Sequence, residues 1–301
     1  MSNFSACIRS INKSNDLSVY KLNHLFIEKE NRDARDYIYD PLNNKITINQ
    51  PLSSIHPNSI NSLNLNAINI PNILIISGNN ILNQGTLGSC TANAISVAVS
   101  ICSNKRINDL CRLYQYFNSK ILDNSTPLSD TGATSQNSIN ALKLYSCCGE
   151  NLFPYISSNY IKPVPISCFK NTYNITNVVY SYINQDSNMT LNLYNCLLNT
   201  NNKTKLSGVI VGFRVYQSFY NITNNGIVPL PNTKKENLLG GHCVAIVGLK
   251  NIVVNGRSNL YIVFQNSWGT SWGDKGYGYF PVQYLQNSSL SEPMTVVTFI
   301  V

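Results

Sequence analysis

The chain has 301 residues, a length that suits one large domain or two lobes that share a cleft. Hydrophobic residues make up 43% of the sequence, which is enough for a packed core and excludes global disorder. The formal net charge is +8, yet the 22 lysine and arginine residues are scattered and form no basic stripe with interleaved aromatic residues. No apolar run is long enough to cross a bilayer. We therefore expect neither a nucleic-acid partner nor a membrane partner.

The nine cysteines indicate a protein whose thiols stay reduced. Their spacing matches no small disulfide scaffold and no cysteine–histidine pattern typical of zinc, so we expect no metal and no cofactor. The first 20 residues lack the apolar core of a secretory signal. These observations together predict an intracellular, cytoplasmic setting.

Residues 1–60 differ in composition from the rest of the chain. They are polar, carry much of the acidic charge and end in a loop-like stretch rich in proline and serine. Three interpretations are open: a pro-segment, an N-terminal arm, or ordinary structure. We expect the folded domain to occupy residues 61–301 and to open with a strand-like run between Leu65 and Ile76.

The pattern of the remaining chain changes from helices to strands. Four helices are predicted, the last being the weakest: one after Cys90, one capped by Asn108 or Asp109, Ser135–Tyr145 and Leu191–Leu198. Five strands follow, separated by glycine, asparagine and proline turns: 208–215, 243–248, 260–265, 276–280 and 295–299. This order favours an α+β fold, with a helical lobe over about 85–205 and an antiparallel sheet or barrel over about 206–301. The cleft between two such lobes is the usual place for a functional site.

One cysteine stands where nucleophilic chemistry requires it. A glycine-broken loop leads into Cys90, and an apolar helical stretch follows directly. A thiol at this junction lies at the positive end of the helix dipole, which favours the thiolate. His242 and Asn266 follow far downstream, so the chain contains the thiol, imidazole and amide of a Cys–His–Asn nucleophilic site.

These motifs, in their order along the chain, resemble those of the papain-like cysteine peptidases. They are Gln84-x5-Cys90, Gly241-His242 and Asn266-Ser267-Trp268-Gly269-x-x-Trp272-Gly273, and the match extends from about residue 60 to the C-terminus. The run from Gln84 to Ala94 is most similar to a subgroup found in bacteria, archaea and large DNA viruses, and three further segments fit that subgroup: 111–118, 130–133 and 149–155. The resemblance implies a two-lobed papain-like fold and a cathepsin-like thiol endopeptidase that acts on peptides or proteins.

The resemblance also implies a role for each residue of the site. Cys90 attacks the scissile carbonyl as a thiolate, its pKa lowered by the His242 imidazolium and the helix N-terminus, and His242 then protonates the leaving amine. Asn266 orients His242, and Trp268 covers that hydrogen bond. The Gln84 amide and the Cys90 backbone N–H form the oxyanion hole. Along the substrate path lie Gly132, Ala133, Gly241 and Trp268.

Departures from the family pattern leave several questions open. Leu87 stands where many secreted relatives carry a disulfide cysteine, which is consistent with a reducing compartment or, given the subgroup, a virion-associated enzyme. The long inhibitory propeptide of the family is absent, so residues 1–60 are the candidate for a shorter one in a zymogen. A monomer is expected. The alternatives are a catalytically silent structural or binding protein, and an acyl-transfer enzyme that uses the same thiol.

Overall fold

The computed structural model describes residues 70–75, 77, 80–123 and 129–301, together with the short strand Tyr37–Ile38. Apart from that strand, the predicted arm or pro-segment over residues 1–60 lies outside the described residues, as does the beginning of the strand-like run that starts at Leu65. Within the described ranges, no helix combines the length and the apolar character needed to cross a membrane.

Most of the helices precede most of the strands, as the sequence predicts. They are α1 (Cys90–Cys102), α2 (Arg112–Leu122), α3 (Ser135–Tyr145), α4 (Ile166–Lys170), α5 (Met189–Asn201), α6 (Gln217–Tyr220) and α7 (Val282–Gln286). Every residue of α1 after Cys90 is buried, because small side chains let α2, α3 and the sheet approach it closely. The first residue of α1 is therefore held by a rigid element.

The third predicted helix is confirmed, with the predicted bounds. The Thr134 hydroxyl caps α3 by accepting a hydrogen bond from the backbone N–H of Asn137 at 3.2 Å. Of the two candidates for its last core position, Tyr145 is buried and Leu144 is exposed.

The predicted start of the second helix is wrong. α2 begins at Arg112 and not after Asn108 or Asp109. The residues before it are held in other contacts, since Leu110 forms a β-bridge with Gly149 and the Tyr173 hydroxyl donates a hydrogen bond to the Asp109 carboxylate.

One sheet contains all eight of the described strands. Its strands are β1 (Tyr37–Ile38), β2 (Ile73–Leu74), β3 (Thr176–Ile183), β4 (Gly208–Tyr216), β5 (Leu238–Val254), β6 (Arg257–Gln265), β7 (Tyr277–Pro281) and β8 (Met294–Ile300). The order is β1-β3-β8-β4-β5-β6-β7, and β2 pairs with β5. All pairings are antiparallel except the parallel pair of β1 with β3.

The sheet is open, and the barrel alternative is not observed. The two ends of the strand path, β1 and β7, do not pair in the part of the chain that the structure describes. The five predicted strands are confirmed as β4 to β8. β3 was not predicted, and it adds a strand from within the stretch expected to form the helical lobe.

The helices and the sheet meet where α1 packs against β4 and β5. This contact brings Cys90, the first residue of α1, to the same cleft as His242 of β5. The eight described cysteines form no disulfide bond.

Candidate active site

A cleft of about 1990 Å³ runs between the helical elements and the sheet. Of the eight residues that the sequence assigned to the site, seven line it: Gln84, Cys90, Gly132, Ala133, Gly241, His242 and Trp268. The eighth, Asn266, is buried behind His242. Residues widely separated in the sequence therefore meet in one place.

Cys90 presents its thiol at the N-terminus of α1. Burial raises the pKa of this thiol, and hydrogen bonds from the backbone N–H groups of Cys243, Thr91 and Cys90 itself act in the opposite direction. These N–H groups donate hydrogen bonds that stabilise negative charge on the sulfur.

His242 lies on β5 in an aromatic enclosure. Its ring centroid is 4.9 Å from that of Trp268 and 5.6 Å from that of Phe213. Burial lowers the pKa of the imidazole to about 4, although the hydrogen bond to Asn266 works against this shift. The resting imidazole is therefore neutral at pH 7.

The hydrogen bonds of Asn266 determine the tautomer of His242. Asn266 Oδ1 lies 2.8 Å from His242 Nε2 and also accepts the backbone N–H of Ser267 at 2.8 Å. An amide nitrogen could not accept the Ser267 N–H, so the oxygen must occupy this position and Nε2 must carry the proton. Nδ1 of the neutral ring then has a free lone pair that can accept a proton from a thiol.

The expected lowering of the Cys90 pKa is wrong for this resting state. Burial disfavours both the thiolate and the imidazolium, so it raises the pKa of Cys90 and lowers that of His242. The two charges are favourable only as a pair, in which each stabilises the other.

Gln84 is fixed by contacts on every side. Its Nε2 donates to the Leu87 carbonyl at 2.9 Å, and its Oε1 accepts the Ser267 hydroxyl at 2.6 Å. Its backbone N–H donates to the Ser267 carbonyl at 2.8 Å. Because the amide carries two N–H groups, one of them is not used by Leu87.

A partly buried ion pair supports this loop. Arg112 binds both carboxylate oxygens of Glu150, at 2.7 and 2.6 Å, and donates to Asn93 Oδ1 of α1 at 2.9 Å. The Arg112 guanidinium lies 3.9 Å from the ring centroid of Tyr155. The Tyr155 hydroxyl in turn donates to the Gln84 carbonyl at 3.0 Å.

The predicted substrate path has a more specific geometry than the sequence indicated. Gly132 has a φ of +78°, so glycine is needed there for the backbone itself as well as for close approach of a ligand. Its N–H already donates to the Tyr116 hydroxyl at 3.0 Å. Ala133 lies beside it, and Gly241 pairs with Arg214 across β5 and β4 on the opposite wall.

Several residues of the site were not found from the sequence. The sequence indicates Ser267 only as part of a motif. In the structure its hydroxyl donates to the side-chain amide oxygen of Gln84, and its carbonyl accepts the Gln84 backbone N–H. Phe219 and Tyr220 of α6 pack on Trp268, with centroid distances of 5.5 and 5.2 Å. No spacing pattern in the sequence signals these aromatic contacts.

The fold and the cleft are those of a thiol-dependent peptidase, and comparisons with known proteins identify its family. Residues 76–296 match the profile of the papain family cysteine proteases. The chain therefore belongs to the papain family, and it is a cysteine-type peptidase.

Individual relatives agree with this family. The chain is 31% identical over 224 residues to an uncharacterized peptidase C1-like protein of Acanthamoeba polyphaga mimivirus, covering 72% of this chain and 68% of that protein. It is 29% identical to cysteine proteinase 3 of Entamoeba histolytica, covering 64% of this chain and 56% of that one. Among solved structures, xylellain, a cysteine protease from Xylella fastidiosa, superimposes with a TM-score of 0.69 at 25% identity, covering 91% and 96% of the two chains.

Proposed function

We propose that this peptidase is an endopeptidase with Cys90 as nucleophile, His242 as general base and acid, and Asn266 as the residue that orients the imidazole. The observation that carries this proposal is the 2.8 Å contact between His242 Nε2 and Asn266 Oδ1, which leaves Nδ1 as the proton acceptor in the cleft that Cys90 lines.

The chemistry follows from the protonation states. The Cys90 thiol transfers its proton to His242 Nδ1 as its sulfur attacks the scissile carbonyl carbon, so that the two buried charges arise together. The carbonyl oxygen becomes an oxyanion, for which the free N–H of Gln84 Nε2 and the Cys90 backbone N–H are the donors. The Cys90 N–H has no intrahelical acceptor, because Cys90 is the first residue of the helix.

The second half of the reaction uses the same groups. His242 gives its proton to the leaving nitrogen, and the C–N bond breaks to leave an acyl-enzyme on Cys90. A water molecule deprotonated by His242 then attacks the thioester, the C–S bond breaks to release the carboxylic acid product, and His242 returns the proton to the Cys90 sulfur.

Endopeptidase action is favoured by the form of the cleft. Glycines stand on both walls, Gly132 and Gly241, so an extended peptide can pass between them. His242 is the one histidine within the described ranges, so no second histidine-bearing segment occludes the cleft there.

The zymogen hypothesis has one supporting observation. Strand β1 pairs in parallel with β3 at Ser181 and Tyr182, and Tyr182 also lines the cleft. We propose that the segment containing β1 reaches the cleft wall and is removed on activation. A mature N-terminus between residues 50 and 65, found by mass spectrometry together with a gain in activity, is the expected result.

We also propose that the enzyme works as a monomer in a reducing setting, inside a cell or a virion. The eight free cysteines of the described ranges support the reducing setting. Purification with and without reductant, followed by intact-mass analysis, tests whether the thiols stay free, and light scattering gives the oligomeric state.

The catalytic proposal is tested with an epoxide-type thiol inhibitor and a peptide library. We expect labelling at Cys90 and internal cleavage of peptides, both abolished in Cys90→Ala. Asn266→Ala should lower kcat with the label still able to react, and Asn259→Ala, an exposed amide on β6, should leave kcat unchanged. Labelling at another cysteine, or transfer of the acyl group to added amines in preference to water, would contradict the proposal.

A further inference from the structure

Three cysteine thiols outside the cleft lie together in the interior of the helical part of the molecule. Cys111, Cys148 and Cys168 are each fully buried, and their Sγ atoms all lie within 4.8 Å of one another. Cys111 immediately precedes α2, Cys148 lies just before the short 3-10 helix Glu150–Leu152, and Cys168 belongs to α4. Three separate segments therefore direct sulfur atoms to one point.

This convergence differs from ordinary burial of cysteine as a small apolar residue. Other buried cysteines, such as Cys102 and Cys196, belong to no group of three metal-ligating side chains among the described residues. The three clustered thiols are also free, so no disulfide explains their proximity. Sequence spacing could not reveal the group, because its members are far apart in the chain.

The geometry suits a metal ion. A metal–sulfur bond length of about 2.3 Å places the sulfurs of a planar three-coordinate ion about 4 Å apart, which lies within the observed limit of 4.8 Å. Thiolates are soft ligands that select copper(I) and zinc. Cys111 stands at the N-terminus of the 11-residue helix α2, whose dipole stabilises negative charge on its sulfur.

We propose that Cys111, Cys148 and Cys168 bind a single thiophilic metal ion, and that this ion is copper(I) in three-coordinate geometry. Structural zinc sites are almost always closed by four ligands. No fourth histidine, cysteine, aspartate or glutamate joins the group within the described ranges, and the three sulfurs are closed off from water.

The position of the site connects it to the catalytic loop. Cys111 is followed directly by Arg112, and Cys148 is followed two residues later by Glu150, so the metal would fix both sides of the ion pair beneath Gln84. We expect removal of the metal to lower the melting temperature by several degrees.

The test uses the full chain in a Cys90→Ser background, so that the reactive thiol neither binds metal nor cleaves the protein. The protein is equilibrated with copper(I) or zinc against a competing chelator, and bound metal is counted by mass spectrometry of the native protein. We expect one copper(I) per chain, loss of this metal in Cys168→Ser, and retention in Cys196→Ser, a matched buried cysteine outside the cluster.

A second measurement does not depend on the variants folding. In the metal-loaded protein, Cys111, Cys148 and Cys168 should resist alkylation until the chelator removes the ion, as mapped by peptide mass spectrometry. Equal alkylation with and without metal, or a disulfide between two of the three, would overturn the site. Preferential retention of zinc would overturn the three-coordinate assignment.

Discussion

Acid should destabilise this protein through a single buried imidazole. Burial lowers the pKa of His242 to about 4, whereas an exposed histidine titrates near its ordinary value of 6.5. Between these values the unfolded chain binds a proton that the folded chain does not, so the free energy of unfolding rises with pH. The stabilisation is fully present above about pH 6.5 and is lost as the pH falls toward about 4.

The expected loss in the free energy of unfolding follows from the pKa shift of His242. The pKa difference is 6.5 minus about 4, and at 1.36 kcal/mol per unit it corresponds to about 3 kcal/mol. The measurement is urea unfolding of the inactive Cys90→Ala protein at several pH values between 4.5 and 7, followed by tryptophan fluorescence. Inactivation is necessary because autolysis would distort the transitions.

The control is the double variant Cys90→Ala, His242→Gln. His24 and His56 remain in both proteins, so their contributions cancel in the comparison. Glu236, whose pKa is lowered by its hydrogen bonds to Ser218 and Asn232, also remains and acts below pH 4.5. In the double variant, the free energy of unfolding should rise much less between pH 4.5 and 6.5. The same slope in both proteins would refute the assignment of a neutral, buried His242.

Three further substitutions test other parts of the structure. Gln84→Ala removes a side-chain donor of the proposed oxyanion hole and should lower kcat on the order of 100-fold, and an unchanged kcat would remove Gln84 from the mechanism. Tyr155→Phe removes the hydroxyl that binds the Gln84 carbonyl at 3.0 Å, and kcat should fall about fivefold with KM unchanged. A change in KM alone would contradict a positioning role. Gly208→Ala would bring a Cβ to 2.6 Å from that of Ala98 in α1, so urea unfolding should show a loss of roughly 1–3 kcal/mol. Unchanged stability would show that β4 and α1 are less closely packed.

Local patterns in the sequence were sufficient for most elements. α3 was predicted with the correct bounds because its apolar stripe is encoded within a few residues. The strands β4 to β8 were found because their apolar runs and the turn residues between them are also local features of the sequence. β3 was missed because its residues alternate weakly, with only Val178 and Ile183 buried, and it is defined by pairing with the distant β8.

The site shows the same division between local and distant information. The order of motifs located Cys90, His242 and Asn266, because residue type and order along the chain are given directly by the sequence. The direction of the Cys90 pKa shift was predicted wrongly, since it depends on how deeply the folded chain buries the thiol. The contact between Ser267 and Gln84 joins residues at opposite ends of the domain, and only the fold reveals it.

Burial of the thiol and the imidazole determines where the catalytic power of this site must arise. Burial raises the pKa of the Cys90 thiol and lowers that of the His242 imidazole, so in the proposed mechanism the formation of the thiolate–imidazolium pair contributes to the reaction barrier. Fixed donors can lower that barrier only if they are already in place when charge develops. The contacts of Gln84 with Leu87, Ser267 and Tyr155 meet this condition, because they hold the donor without any contribution from the substrate. The ion pair of Arg112 with Glu150 is therefore part of the support for the proposed oxyanion donor, although it lies outside the cleft.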